Sequence, residues 1–367
     1  MNLLGLALFN APLICFAAGA AIGYLFPRIY RNNLKNRDVG QEPLRRFDPE
    51  RAAIPRGKLP PPKTESSGRF GIGVRLPKWG EQGITLYLLF AIGVKGGASL
   101  LLLDGVAHLF IGALAALVIW GVLQPLLSFY LLRLSTHLDV ATAAAVAASF
   151  GSVSVMTFAS ALSFLEQLNC PYQEWVIPLL AIMELPAIIA GVYLARTFEK
   201  REGEPLAQIV KESLLNKAIC AIGVGLLAGA WLTWQQIGAS LVLTPFTPLL
   251  CLFMLAMGRK VGMRCSALKT FSWTLHCFGI YMPLLGGAVG LLIGWSLALD
   301  VGTATLLAVL AASASYIAVP AAMRLALPHA QEAVYLPLSL GVAFPFNVLI
   351  GIPLYFYLAM WLKGLSQ

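Results

Sequence analysis

Charge is what this chain has least of. Only 12% of its 367 residues are Asp, Glu, Lys or Arg, about half of the roughly 25% usual in soluble domains, while 58% are hydrophobic. That excludes a cytosolic globular fold, and no nucleic-acid partner is expected. Histidine is nearly absent, with His108, His137, His276 and His329 forming no local ligand cluster. Cys15, Cys170, Cys220, Cys251, Cys265 and Cys277 lie in or beside apolar runs without paired spacing, which argues against a metal site or a disulfide framework. There is no Gly-x-Ser-x-Gly elbow, no HExxH and no P-loop. Hydrolytic chemistry and ATP-driven transport by this chain are therefore not expected: the reading is no enzyme and no cofactor. The long uninterrupted apolar runs also exclude a β-barrel, whose strands would alternate.

What is present is a series of such runs, with a mean hydropathy of +0.77. Ten spans are expected, near 4–26, 83–103, 106–131, 139–165, 174–196, 217–236, 244–258, 271–298, 301–324 and 333–362, since about 20 residues cross the hydrocarbon. The seventh is short and is expected to begin earlier or to be partly re-entrant. The first run has no basic lead and reads as a span, not a cleaved signal. Residues 27–80 hold 13 Lys and Arg against 5 Asp and Glu, which is +8 of the chain's +9. Arg133, the cluster from Arg196 to Lys217, the cluster from Arg259 to Lys269, and Arg324 all fall on that same side. The opposite loops carry Asp104, Glu166, Glu174 and Asp300, with only Lys363 in the tail. The positive-inside rule then makes the basic loops cytoplasmic and puts both termini outside, in a multi-pass membrane protein. The 27–80 loop is charge-rich, then proline-rich, and is expected to be an extended or disordered connector touching anionic lipid, the alternative being a docking segment for a regulator.

Two apolar spans are interrupted by short polar stretches. One is Gly151-Ser152-Val153-Ser154-Val155-Met156-Thr157, the other Ser313-Ala314-Ser315-Tyr316-Ile317-Ala318-Val319-Pro320. A helix broken at membrane depth frees backbone N–H and C=O groups that must face protein or a polar cavity. Such a pair in corresponding halves marks the binding site of a secondary transporter. Gly151, Ser152, Ser154, Thr157, Ser313, Ala314 and Ser315 are therefore the candidate anion-binding residues. Hydroxyls and free N–H groups hold an oxyanion without a buried Arg; the alternative is close helix packing by small residues. Glu184, inside the fifth span, is a candidate for cation coupling, for proton transfer, or for hydrogen bonding across helices. Asn347, beside Pro345, is a further candidate for cation coupling. Lys95 lies mid-span, where it either snorkels or counters an acid. His276 is expected to be a packing residue.

The halves also echo one another. Pro178 and Pro186 recur at Pro337 and Pro345, 159 residues on, and Ser154 recurs at Ser315, 161 on. That offset spans five crossings, so the second copy is expected to be inverted. The fold class that results is an all-α polytopic membrane protein of ten helices in two inverted five-helix repeats, with helices four and nine broken. Residues 1–196 form the first repeat, 197–216 a cytoplasmic connector and 217–367 the second.

At these residues the chain resembles the sodium-dependent bicarbonate transporter family, the SbtA-type permeases of cyanobacteria and other bacteria. The resembling stretches run over 88–97, 150–158, 183–187, 252–258 and 312–324, within a likeness from about residue 80 to 362 plus the first span. The resemblance implies Na⁺-coupled bicarbonate uptake, an anion site between the broken fourth and ninth spans, and Na⁺ as the coupling ion. It places Tyr316 where the cyanobacterial pattern has Asp, and Glu184 where it has Asp, so both are cation-coupling candidates. The 27–80 insertion is a further departure. The partners implied are bicarbonate or another small anion, membrane lipids, a homo-oligomer and a small PII-like cytoplasmic regulator. Other readings of the same residues are a Na⁺- or H⁺-coupled carrier of another anion, resembling bile-acid symporters or auxin carriers, and a non-transporting receptor or scaffold.

Overall fold

The structure is a computed structural model that describes residues 11, 12, 14–24, 78–100, 105–199, 207, 211, 214, 215, 217–268 and 271–365. The 27–80 connector lies almost wholly outside these residues, and most of 197–216 does too. Among the described residues there is no strand. Among the same residues, six helical segments are long and apolar enough to cross a membrane, and three shorter apolar helices accompany them. That is the pattern of a multi-pass membrane protein.

The helices are α1 (Ile14–Tyr24), α2 (Lys78–Leu100), α3 (Ala107–Ser135), α4 (Val140–Gly151) and α5 (Val155–Gln167). They continue with α6 (Glu184–Glu199), α7 (Lys217–Trp234), α8 (Phe246–Leu268), α9 (Trp273–Ser296), α10 (Val301–Ala312) and α11 (Ala318–Ala326). The last is an irregular α12 (Glu332–Leu365), with π turns at Ser339–Ala343 and Asn347–Gly351. A short helical turn at Ser240–Leu243 precedes α8. The seventh apolar run is thus longer at both ends than the sequence marks; it is not cut short.

Small residues decide which helices approach. α2 and α7 pack along Gly93, Gly97, Gly225 and Gly229, and a methyl on Gly97 would come within 2.0 Å of the Leu226 carbonyl oxygen. α1 and α8 meet in the same way through Gly19, Gly23, Gly258 and Gly262. In lipid the contact must come from close backbone packing, because hydrocarbon offers no hydrophobic drive between helices. Elsewhere α4 packs on α3 and α6, while α10 packs on α9 and α12. The segments beyond the two breaks exchange places: α5 lies against α10, and α11 lies against α4 and α6.

A polar link joins α2 to α5. Lys95 donates to Glu166 at the end of α5 and stands 5.2 Å from the Tyr172 ring centroid. Tyr172 donates to the same carboxylate at 3.2 Å. Burial pushes the Tyr172 phenol up to about 12, so it remains a donor at neutral pH. Lys95 therefore counters an acid.

Candidate functional site

The two breaks are extended backbone between helix ends. Ser152 has φ −101° and ψ 164°, Ser154 has φ −109° and ψ 109°, and Ser313 has φ −77° and ψ 162°. All three serines are buried, as are Thr157, Ala314, Ser315 and Tyr316. The breaks meet. Ser154 N–H donates to Ser313 Oγ at 2.9 Å, and Ser315 N–H donates to the Ser149 carbonyl at 2.8 Å. Two of the backbone donors freed by the breaks are thus engaged by the opposite break.

The hydroxyls divide into two sets. Ser154 Oγ accepts from Thr157 N–H at 3.3 Å and caps α5. Ser315 Oγ accepts from Val319 N–H at 3.3 Å, at the start of α11. Ser313 Oγ donates to the Leu310 carbonyl at 3.3 Å while accepting from Ser154. By contrast Ser152 Oγ and Thr157 Oγ1 are buried without a hydrogen-bond partner, and Tyr316 Oη, with Ser154 within reach, makes no hydrogen bond of good geometry. Buried polar atoms are nearly always paired, and each exception needs a reason. Here three sit around one crossing, where the positive N-terminal end of α5 also points.

Gly151 serves packing. A methyl there would come within 2.2 Å of Pro125 Cγ and 3.2 Å of Ala187 Cβ, so its absence lets α3 and α6 close on the end of α4. Ala314 adds no polar atom and lies in the core. Glu184 is 2% exposed, the only charged side chain buried among the described residues, and its Oε2 has no partner. Its height follows from the packing of α6 on α4: Ala187 lies by Gly151 and Gly191 by Ala148. One turn earlier, Glu184 is level with the first break. Asn347 differs, because both ends of its amide are engaged. Its Nδ2 donates to the Ala312 carbonyl at 3.0 Å and its Oδ1 lies 3.2 Å from the Tyr355 hydroxyl. It closes the C-terminal end of α10. His276 stays local, its Nδ1 3.0 Å from the Ser272 carbonyl.

Sequence inspection by motif overlooks Thr142 and Thr303, which hold the frame around the breaks. Asp139 caps α4 by accepting from Thr142 N–H, and Asp300 caps α10 by accepting from Thr303 N–H, both at 2.8 Å. Each threonine then serves the other half: Gln331 N–H donates to Thr142 Oγ1 at 2.9 Å, and Gln173 N–H to Thr303 Oγ1 at 2.7 Å. The signal was in the chain. Leu138-Asp139-Val140-Ala141-Thr142 recurs as Leu299-Asp300-Val301-Gly302-Thr303, at the same 161-residue offset that relates Ser152 to Ser313 and Ser154 to Ser315.

A small, buried, hydroxyl-lined crossing between two interrupted membrane helices suits a solute carrier. The sequence matches the Na⁺-dependent bicarbonate transporter superfamily over residues 70–360. The chain belongs to that superfamily. No individual curated protein matches it. The match to the Na⁺-dependent bicarbonate transporter superfamily covers both breaks, Glu184 and the Lys95–Glu166 pair, and leaves α1 and most of the basic connector outside.

Proposed function

We propose that this protein is a secondary transporter that imports bicarbonate by Na⁺ symport, with the anion held where the two breaks cross. The observation that carries this is the trio of unpartnered hydroxyls of Ser152, Thr157 and Tyr316 between breaks that hydrogen-bond to one another, in a member of the bicarbonate transporter superfamily. Neutral donors in a buried site bind a singly charged oxyanion without the desolvation cost of a buried cation. Ser154, Ser313 and Ser315 fix the geometry of the breaks and retain acceptor or donor capacity toward a ligand.

Na⁺ is a co-substrate in this reading. Glu184, with its orphaned oxygen and its level beside the carbonyl end of α4, is the residue to hold it; the negative end of a helix adds to a carboxylate there. Ten spans in two inverted repeats, 1–196 and 217–367, are supported by the repeated Leu-Asp-Val-x-Thr element and by the reciprocal Gln331–Thr142 and Gln173–Thr303 bonds. Basic loops inside and both termini outside follow from the charge asymmetry, and a bacterial inner membrane is what the likeness to the bacterial permeases implies. Alternating access is then motion of one body past another around a fixed site. Proteoliposomes containing the purified protein are expected to accumulate labelled bicarbonate under an inward Na⁺ gradient, and not under an equal K⁺ gradient. Uptake indifferent to Na⁺, or uptake of a different anion in preference, would replace this reading with that of another carrier.

A further inference from the structure

Tyr316 breaks the symmetry of the crossing. At the 161-residue offset its counterpart is Val155, and the counterpart of Thr157 is Ala318. The serines recur in both halves, so the site's asymmetry resides in one threonine hydroxyl and one phenol. We propose that Tyr316 is a specificity-determining residue that donates its phenolic hydrogen to the bound anion and is not a ligand of the coupling cation. This rests on the reading of the crossing as the anion site.

Three observations carry it. The Tyr316 side chain is buried, and its Oη has the Ser154 side chain within reach but forms no hydrogen bond of good geometry with it; Ser154 instead caps α5 and accepts from Thr157 N–H. The free hydroxyls of Thr157 and Ser152 belong to the same pair of breaks. Its ring is held in place: it packs edge-on to Phe344 at 5.2 Å, and Phe344 packs edge-on to Phe16 of α1 at 5.4 Å. A ring held by an aromatic neighbour that is itself braced gives its hydroxyl little reorganisation on binding, as a preorganised donor should have. Finally, a neutral phenol is a good donor to an anion and a weak substitute for a carboxylate toward a cation.

The substrate class follows. No Lys, Arg or His is buried among the described residues, so nothing in the crossing neutralises a second negative charge. Desolvation cost rises steeply with charge. The site therefore takes small monoanions with several acceptor oxygens and rejects sulfate or carbonate.

The test is a comparison of wild-type, Tyr316→Phe and Ser152→Ala proteins in proteoliposomes, with bicarbonate and Na⁺ varied separately. Tyr316→Phe keeps the ring on Phe344, so the thermal midpoint of the purified protein is expected to stay put. The half-saturating bicarbonate concentration is expected to rise about ten- to a hundredfold, the loss of one hydrogen bond to a charged ligand, with the half-saturating Na⁺ concentration unchanged. A shift confined to Na⁺, or no shift at all, overturns the proposal. If Tyr316→Phe behaves as wild type while Ser152→Ala weakens bicarbonate, only the role of Tyr316 falls. If neither variant alters bicarbonate dependence, the crossing itself is not the anion site. Tyr316→Met, which keeps an adaptable apolar side chain, serves in the same assay and with the same expectations should the Phe variant not accumulate.

Discussion

Removing the hydroxyls of Ser152 and Thr157 together, as Ser152→Ala with Thr157→Val, is expected to raise the half-saturating bicarbonate concentration about a hundredfold or more. Each hydrogen bond to a charged ligand contributes roughly 1.5–3 kcal/mol, and 1.4 kcal/mol is about tenfold in affinity. Neighbouring sites need not add, so the lower figure is the safer expectation. Folding is spared for a specific reason. Neither Ser152 Oγ nor Thr157 Oγ1 bonds to the protein, so no internal partner is orphaned when they go. Ser154→Ala and Ser313→Ala differ in kind, because they remove the α5 cap and the bond across the breaks. Those two would mix binding with stability. Membrane insertion and thermal midpoint of the double variant, measured beside uptake, separate the effects. Normal uptake at low bicarbonate would remove both hydroxyls from the site.

Glu184→Gln is expected to abolish Na⁺ activation while the protein still folds. The amide keeps the shape and part of the hydrogen bonding of the carboxylate but not its charge. A unit charge facing a cation in a poorly solvated setting is worth several kcal/mol at an effective dielectric of about 20, enough to lower uptake at fixed Na⁺ by about tenfold or more. Two other outcomes distinguish the remaining roles. Uptake that follows a pH gradient in wild type, needs no Na⁺, and is lost in Glu184→Gln makes Glu184 a proton carrier. Unchanged rate, Na⁺ response and pH response make it a packing residue of α6. Separate Na⁺ and pH gradients across the same proteoliposomes decide among them.

Much of the frame was legible from local pattern. Apolar runs mark where the helices lie, and the break at Ser152–Ser154 shows because hydroxyls and a glycine interrupt an alanine-rich run. The residues of the two breaks differ in what they do: Gly151 and Ala314 pack, while the serines and Thr157 carry the hydroxyls. Which hydroxyls are engaged depends on contacts between residues far apart in the chain. Ser154 and Ser313 are 159 residues apart, and no local spacing reveals that one satisfies the other. Asn347 read as a coupling candidate because a polar residue beside a proline in a span usually marks a site. Its engagement with Ala312 and Tyr355 depends on how α12 folds back onto α10. Lys95 was ambiguous for the same reason, since Glu166 lies 71 residues on. Thr142 and Thr303 were legible through a five-residue repeat, but a search for chemistry-bearing motifs passes over a capping Asp and its threonine.

The most direct test of the account asks whether bicarbonate occupies the crossing. Ser152→Cys in a cysteine-free background puts a small thiol there, at a position whose hydroxyl bonds to nothing in the protein. Reaction of that thiol with a small membrane-permeant reagent is expected to be slowed by bicarbonate in the presence of Na⁺, much less by bicarbonate with K⁺, and not by sulfate. Reaction at a rate indifferent to bicarbonate, in a variant that still transports it, would contradict the placement of the anion between the two broken helices.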